Sequence, residues 1–149
     1  MNPGGVRASI EPGPITYDEV VAVQPFGNTL VVMDLTGKEV KATLESGLAN
    51  DRILQVSCGF TYVVDMGKPS GSRLVKAKLN GEPIQDDRTY RVVVNNFMAR
   101  GGDSLLPLAD AKGYRYDTGI IDLDALLSYL KANTPVQLST EKRITRAQS

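Results

Sequence analysis

Short apolar segments separated by turn residues limit the fold of this 149-residue chain more than any other feature. Runs of β-branched and apolar residues at 29–35, 60–64, 73–79 and 89–94 are typical of β-strands. An Asn-Gly pair follows the third run and is a strong signal for a β-hairpin. Helical spacing occurs between only some of these runs, so the order does not fit regular βαβ repetition. The pattern predicts an α+β fold: a single domain with a mixed β-sheet, hairpins and a few packed helices.

Three segments carry signals for helices. Thr16 and Glu19 have the spacing of a capping box at the start of a short helix. Apolar residues four positions apart predict a second helix over residues 38–48. Asp122 is expected to cap a last, leucine-rich helix. Helices are therefore expected near the start, the middle and the end of the domain.

The remaining segments complete the predicted domain. Residues 1–14 are expected to form an N-terminal loop, and residues 15–149 a single recognition domain. Residues 53–56 are predicted to form a further strand, and residues 135–144 an extended tail. Cys58 is expected to be buried, since free cysteines are among the most buried residue types. From its abrupt start, we expect the chain to be a domain excised from a larger two-domain protein.

The composition argues against several functional classes. The chain has no His and only one Cys, so zinc sites and Cys-His catalysts are not expected within it. Neither a catalytic residue nor a metal ligand is predicted. Basic and acidic residues both number 17, giving a net charge of +0, which argues against a nucleic-acid partner. No run of residues is long and apolar enough to predict a membrane segment.

Two of the three phenylalanines lie in polar, glycine-containing segments. Phe26 lies in Pro-Phe-Gly-Asn, and Phe97 lies in Asn-Phe-Met-Ala-Arg-Gly-Gly-Asp. A phenylalanine in this setting can be displayed from a loop, and two displayed rings can hold a nucleobase between them. The alternative is that both rings are core residues beside turns, because aromatic side chains bury well. Residue types alone leave both interpretations open.

Polar residues near these rings are candidates for reading a ligand. Asn28 and Asp103 lie beside glycines, where such residues also commonly form turns. A carboxylate such as that of Asp103 can accept hydrogen bonds from both hydroxyls of a ribose. The glycine-rich segment from Asn2 to Arg7 can offer backbone amides and a guanidinium to an anion. Its alternative is a disordered terminus.

Taken in order, these segments resemble the C-terminal domain of the 5'-nucleotidase / UDP-sugar hydrolase family. The similarity runs from Asn2 to about Ile144, and each motif is weak alone but specific in this order. Two departures from the family pattern are Cys58, where many relatives have Gly, and Pro3, which stiffens its loop. The motifs that carry the resemblance are Asn2–Arg7, Ile15-Thr16-Tyr17, Pro25–Leu30, Leu54–Ser57, Thr89-Tyr90, Asn96-Phe97 and Gly101-Gly102-Asp103.

The resemblance implies a set of substrate-binding residues. In the family, the two aromatic residues of these motifs stack on both faces of the base, and the aspartate after the glycine pair contacts the ribose hydroxyls. The asparagine and arginine of the first motif contact the substrate, and an asparagine beside the first aromatic residue can help to read the base. The matching residues in this chain are Phe26, Phe97, Asp103, Asn2, Arg7 and Asn28.

The resemblance also implies a larger parent protein. Family members carry an N-terminal metallophosphoesterase domain with two divalent metals, and they are periplasmic, secreted or attached to the cell surface. Their substrates are nucleoside 5'-phosphates or related phosphoesters, so this chain would bind the nucleoside and catalyse nothing alone. Two alternatives are a parent acting on 2',3'-cyclic nucleotides or UDP-sugars, and a structural or docking module that binds no ligand. No cofactor is implied for this chain itself.

Overall fold

A computed structural model of the chain describes residues 1–147. Its helices and strands alternate irregularly along the sequence, and two short 3-10 turns lie at Pro3–Gly5 and Gly102–Ser104. The helices are α1 (Tyr17–Val23), α2 (Gly37–Ala49), α3 (Asn96–Ala99), α4 (Leu106–Asp110) and α5 (Asp122–Ala132). The strands are β1 (Thr29–Thr36), β2 (Phe60–Val64), β3 (Leu74–Leu79), β4 (Glu82–Pro83), β5 (Thr89–Asn95), β6 (Arg115–Ile121) and β7 (Ile144–Arg146).

The strands form two sheets. One is a three-stranded antiparallel sheet in the order β5-β1-β6. The other has the order β4-β3-β2-β7 and is mixed, because β7 runs parallel to β2 while the other pairs are antiparallel. The predicted α+β class with hairpins and a few helices is confirmed, and its strands are divided between two sheets.

The core lies where helix α2 packs against β1, β3 and α4. Met33 and Leu35 of β1, Leu48 of α2 and Val64 of β2 are among its almost fully buried side chains. Full burial of one such side chain stabilises the fold by about 1.5–3 kcal/mol. The core therefore contains residues of both sheets. The apolar residues four positions apart that predicted α2 form the face of this helix that packs into the core.

Capping boxes begin both of the first two helices. The Thr16 amide donates to Oε2 of Glu19 at 2.7 Å, and the Glu19 amide donates back to the Thr16 hydroxyl. Thr36 and Glu39 repeat this arrangement at the start of α2, a box that the sequence interpretation missed. A cap of this kind contributes about 1 kcal/mol. Because Thr36 is also the last residue of β1, the box fixes the turn from strand into helix.

The predicted hairpin is confirmed at Asn80 and Gly81, which join β3 to β4. Their φ angles of 50° and 86° are both positive, as a two-residue hairpin turn of this type requires. Leu79 pairs with Glu82 and Lys78 with Pro83 across the turn. A side chain larger than glycine at position 81 would therefore strain this connection.

Several local predictions are wrong. Residues 53–56 form no strand, because the amide of Gln55 bonds to the carbonyl of Met1 rather than to a sheet. Cys58 is exposed, since it lies in the turn that leads into β2. Strand β6 was missed because nearly all of its residues are exposed, so it lacks the apolar alternation that marks a half-buried strand. The tail predicted over residues 135–144 contains no helix or strand before β7 begins at Ile144.

Candidate functional site

Three strand ends meet at one edge of the antiparallel sheet. Leu30, near the start of β1, pairs with Asn95, the last residue of β5. Thr29 pairs with Ile121, the last residue of β6, and the amide of Asp122 donates to the carbonyl of Asn28 at 2.8 Å. The loop before β1, helix α3 after β5 and helix α5 after β6 therefore all start from this edge. The pairing brings the two phenylalanine-bearing segments to the same edge although about 70 positions separate them in sequence.

Both predicted ring residues are displayed at this edge. Phe26 is 56% exposed and Phe97 is 45% exposed, so neither is a core residue. The Phe97 ring packs closely on Gly102, where an added Cβ would lie 2.5 Å from the ring atom Cε1. A side chain at position 102 would therefore displace the ring. The glycine pair in this motif leaves room for Phe97 as well as for the turn.

The carboxylate of Asp103 is held by two partners beside Phe97. Its Oδ2 accepts a 2.8 Å hydrogen bond from Nδ2 of Asn2, and its Oδ1 forms an ion pair with Nη1 of Arg52. The Asp103 side chain is only 13% exposed, so its carboxylate is largely enclosed rather than projecting into solvent. A carboxylate has about four acceptor positions. These two contacts therefore leave it able to accept further hydrogen bonds from a ligand.

A turn with positive φ angles orients that carboxylate. Gly101, Asp103 and Ser104 have φ angles of 88°, 58° and 63°. Aspartate tolerates this left-handed region better than most residues, at a cost of about 1–2 kcal/mol per residue. Backbone strain at a position that also holds a largely enclosed carboxylate is typical of functional sites.

Asn95 connects the polar and the aromatic parts of the site. Its Oδ1 accepts from the Met98 amide at 2.8 Å and so caps α3, the helix that carries Phe97. Its Nδ2 donates to Oδ1 of Asn2 at 3.2 Å. Asn2 and Asn95 are each 4% exposed. We call Asn2, Asn95 and Asp103 the polar cluster, and Phe26 and Phe97 the aromatic pair.

The N-terminal segment is packed rather than loose. The Met1 ammonium donates to the carbonyl of Gln55 at 2.8 Å, and burial lowers the pKa of this amino group. The amide of Arg7 donates to the carbonyl of Val23 at the end of α1. The loop that contains Phe26 and Gly27 begins directly after this helix. The Arg7 side chain is exposed and forms no hydrogen bond or ion pair within residues 1–147. Arg7 thus lies on the side of the site near the Phe26 loop without joining the polar cluster.

Asn28 contacts a buried acid instead of standing free. Its Nδ2 donates to Oδ2 of Asp122 at 3.4 Å, and Asp122 is buried. The prediction that Asp122 caps α5 is wrong, because the N-cap position is Ile121 and Asp122 is the first helical residue. Its carboxylate instead accepts from the Leu123 amide and from Asn28. Asp122 therefore ties the loop that carries Phe26 to α5.

Another carboxylate fastens β6 to the start of β1. Asp117 accepts from the Gly119 amide at 3.0 Å and from the Thr29 hydroxyl at 2.8 Å. These hydrogen bonds hold the pKa of Asp117 below its usual range, and the positive charge of Arg100 lowers it further. Arg100 is also the residue that ends α3, where its amide donates to the carbonyls of Asn96 and Met98.

The sequence interpretation missed three residues of the site: Arg52, Asn95 and Asp122. Asn95 had a usable signal, since an asparagine just before a helical segment is a favoured N-cap. Arg52 had no such local signal, because its ion-pair partner Asp103 lies 51 positions later in the sequence. Within residues 1–147, no group of three or more His, Cys, Asp or Glu side chains is arranged to hold a metal ion. In the same part of the chain, no helix has the length and apolarity to cross a membrane.

Comparison with known proteins identifies the family. A family model described as 5'-nucleotidase, C-terminal domain, matches residues 1–110. The chain belongs to this family. The resemblance drawn from the motifs is thus confirmed, and the site lies at the sheet edge of a 5'-nucleotidase C-terminal domain.

Individual relatives agree with this assignment. The domain is 36% identical to an apyrase of Tabanus yao over 97% of its own length and 40% identical to protein UshA of Escherichia coli over 93%. Its fold matches the crystal structure of a 5'-nucleotidase precursor from Thermus thermophilus with a TM-score of 0.92 and 44% identity, over 99% of the domain. The domain spans only 28%, 25% and 31% of these three chains. It corresponds to about a quarter to a third of each relative.

Proposed function

We propose that this domain binds the nucleoside part of a nucleotide and presents its phosphate to a separate hydrolytic domain of the same protein. The observation that carries the proposal is the juxtaposition at one sheet edge. Two displayed phenylalanines lie beside a nearly buried carboxylate that still has acceptor positions free. A nucleoside offers both a flat aromatic base and a pair of hydroxyls, so it matches both halves of this edge.

The aromatic pair supplies the contacts to the base. Stacking of a base on an aromatic side chain is worth about 1–3 kcal/mol and does not depend strongly on which base is bound. Phe26 and Phe97 each keep about half of their surface available for such a contact. The amide of Asn28 lies two residues from Phe26 and can add a hydrogen bond to the base edge.

The polar cluster supplies the contacts to the ribose. Asp103 is oriented by Asn2 and Arg52 before any ligand arrives, so little order is lost when it accepts the ribose hydroxyls. The exposed guanidinium of Arg7 carries a positive charge that suits the phosphate end of a nucleotide. In this proposal the aromatic pair and Asn28 contact the base, Asp103 contacts the ribose, and Arg7 lies toward the phosphate, while Asn2 and Arg52 hold Asp103 in place.

Hydrolysis belongs to the rest of the protein in this proposal. The names of the relatives include 5'-nucleotidases, and this domain covers only 25–31% of the length of UshA and of the two 5'-nucleotidases compared. We propose an N-terminal metallophosphoesterase domain with two divalent metals, which would activate water and neutralise the phosphoryl oxygens. A periplasmic, secreted or surface location is proposed by the same analogy. The domain alone would bind nucleosides without hydrolysing nucleotides.

Calorimetric titration of the domain with adenosine and AMP tests the binding step. We expect saturable binding that weakens by tenfold or more in Phe26→Ala and in Phe97→Ala, because each removes one stacking face. Tyr114→Ala is the matched control, since this exposed aromatic residue precedes β6 at the opposite end of the same sheet. Absence of binding by the folded domain at millimolar ligand, or equal loss in the control, would overturn the proposal.

Kinetics of the two-domain protein test the role in catalysis. Phe97→Ala should raise KM for AMP, while hydrolysis of p-nitrophenyl phosphate, which has no nucleoside, should stay unchanged. A nucleoside-specific effect of this kind distinguishes substrate positioning from a general loss of folding or metal binding. Equal losses on both substrates would contradict a nucleoside-binding role.

A further inference from the structure

Hydrogen bonds connect the main chain of helix α3 to the carboxylate of Asp103 through two buried side chains. The Met98 amide donates to Oδ1 of Asn95 at 2.8 Å, and Nδ2 of Asn95 donates to Oδ1 of Asn2 at 3.2 Å. Nδ2 of Asn2 then donates to Oδ2 of Asp103 at 2.8 Å. We call these three hydrogen bonds the amide relay. The relay begins in the core, because Met98 is 2% exposed, and it ends at the acid of the candidate site.

The direction of every bond in the amide relay is fixed by its first member. A main-chain amide can only donate, so Asn95 must turn its carbonyl oxygen toward Met98 and its NH2 group toward Asn2. Asn2 then accepts with its own oxygen, which leaves its NH2 group for Asp103. An ionised carboxylate can only accept, so it meets the donor that it needs. Reversal of either side-chain amide would set donor against donor and acceptor against acceptor.

The surroundings of the two asparagines restrict other arrangements of the relay. Asn2 and Asn95 are each 4% exposed, so solvent does not readily replace a lost partner. Nδ2 of Asn95 also lies 3.7 Å from Sδ of Met1, which is only a weak acceptor. A Cβ added at Gly5 would lie 2.9 Å from Oδ1 of Asn2, so the chain packs closely around this amide. The Asn2 amide therefore depends on Asn95 for a strong donor.

The other partner of Asp103 lies in a different environment. The Arg52 side chain is 46% exposed, whereas Asn2 is almost fully buried. An ion pair on a long, partly exposed side chain is screened by solvent and is held in one geometry only at an entropic cost. The hydrogen bond from Asn2 is therefore better suited to fix the direction of the carboxylate. The acceptor positions that Asp103 leaves for a ligand depend on that direction.

We propose that Asn95 is a positioning residue for recognition of the ribose hydroxyls, acting on Asp103 through Asn2 without touching the ligand. This role rests on the proposed function, in which Asp103 accepts hydrogen bonds from these hydroxyls. Loss of the donor at position 95 leaves the Asn2 amide free to turn, and Asp103 then loses both a partner and a fixed direction. The hydroxyls contribute less to binding, whereas stacking of the base is kept as long as α3 remains capped.

Two substitutions separate this role of Asn95 from its role as a helix cap. Asn95→Ser and Asn95→Asp both keep a side-chain oxygen for the Met98 amide, since Ser and Asp are favoured N-cap residues. A serine side chain is too short to bond to Met98 and Asn2 together, and an aspartate turns an acceptor toward Asn2. The same two substitutions at Asn96 are the matched controls, because this neighbouring side chain takes no part in the relay.

Calorimetric titration of the complete chain with adenosine and with 2',3'-dideoxyadenosine measures the effect. The second nucleoside lacks both hydroxyls, so the ratio of the two dissociation constants isolates the ribose contribution. We expect the unaltered chain to prefer adenosine by about tenfold or more, and the ratio to fall to about threefold or less in both Asn95 variants. Affinity for dideoxyadenosine should stay within about twofold, since stacking is retained. A role limited to capping α3 would weaken both nucleosides alike and leave the ratio unchanged.

A double-mutant cycle tests the route through Asn2. Asn2→Ala should lower the ratio by itself, and adding Asn95→Ser should lower it no further, because the relay is already broken. Additive effects, an unchanged ratio in the Asn95 variants, or loss of folding in both of them by circular dichroism would overturn the role of Asn95 and leave the proposed function standing. A chain that binds neither nucleoside would overturn both. Equal binding of the two nucleosides by the unaltered chain would exclude the ribose contact of Asp103, and the role of Asn95 with it.

Discussion

The polar cluster and the aromatic pair lie side by side yet are organised in opposite ways. Asn2 and Asn95 are each 4% exposed; the Asn2 side chain donates to Asp103, and the Asn95 side chain donates to Asn2. Phe26 and Phe97 keep about half of their surface exposed. The polar cluster is thus completed by folding itself, whereas the aromatic pair keeps exposed surface that a nucleoside would cover in the proposed function. Stability and binding should therefore respond to different mutations at the same sheet edge.

The largest expected effect on stability is that of Asn95→Ala. It leaves the buried Met98 amide and the side-chain Oδ1 of Asn2 without their partner and removes the cap of α3. Each unsatisfied buried group costs about 1–3 kcal/mol, so we expect a loss of about 2–4 kcal/mol in the free energy of unfolding. Urea denaturation measures it, with Asn96→Ala as the neighbouring control. A loss below about 1 kcal/mol would mean that the polar cluster is not a structural unit.

Phe26→Ala should show the reverse behaviour. Removing one stacking face should weaken adenosine binding by about 1–3 kcal/mol. The free energy of unfolding should change by about 0.5 kcal/mol or less, because the ring is more than half exposed. Calorimetry and urea denaturation on the same variant measure both quantities. A large loss of stability would place Phe26 in the core and remove the contrast between the two regions.

Arg52→Ala should lose less stability than Asn95→Ala, and its effect should also be smaller than the loss of affinity in Phe26→Ala. The Arg52 side chain is 46% exposed, so its ion pair with Asp103 is screened by solvent and is worth about 1 kcal/mol or less. Asn2→Ala removes the other, more buried partner of the same carboxylate and should cost more. Comparing the two variants by thermal denaturation identifies which side chain orients Asp103. Equal losses would mean that both partners are needed.

The smallest expected effect is on the pH dependence of stability. The pKa of Asp117 is lowered on folding by the Gly119 amide and the Thr29 hydroxyl, so its ionised form is favoured in the folded state. Its contribution is present above the unfolded pKa of about 3.9 and is lost as pH falls through the lower folded value. NMR titration of the Asp117 carboxyl carbon should give a pKa below this value, and Thr29→Val should raise it. A pKa unchanged by Thr29→Val would contradict the contact.

Local signals in the sequence predicted much of the fold. The capping box at Thr16, the spacing of α2 and the Asn80-Gly81 hairpin are each encoded within a few residues, so they could be read directly. Strand β6 could not be, because its exposed residues lack apolar alternation. The division into two sheets depends on long-range pairing that no short window contains.

The residues of the candidate site could likewise be predicted only where their signals are local in the sequence. Phe26 and Phe97 were found because a phenylalanine among glycines and polar residues is unusual in a single short segment. Both rings are exposed, but only Phe26 is displayed from a loop, because Phe97 lies in the short helix α3. Their role in binding stays a prediction. Arg52 was not found, because its ion pair with Asp103 exists only after two distant loops have come together. Partnerships between polar residues are set by the fold, and residue type alone does not reveal them.

The hydrogen bond between Asn2 and Asp103 has a consequence for the order of events during folding. It joins residues 101 positions apart, and the contact between Asn95 and Asn2 spans 93. Closing such long chain segments carries an entropic cost that is repaid only once the intervening structure is in place. The sheet edge that carries the candidate site should therefore be among the last parts to form. Nucleoside binding would then report completed folding, and a nascent chain shorter than about a hundred residues would have no such site.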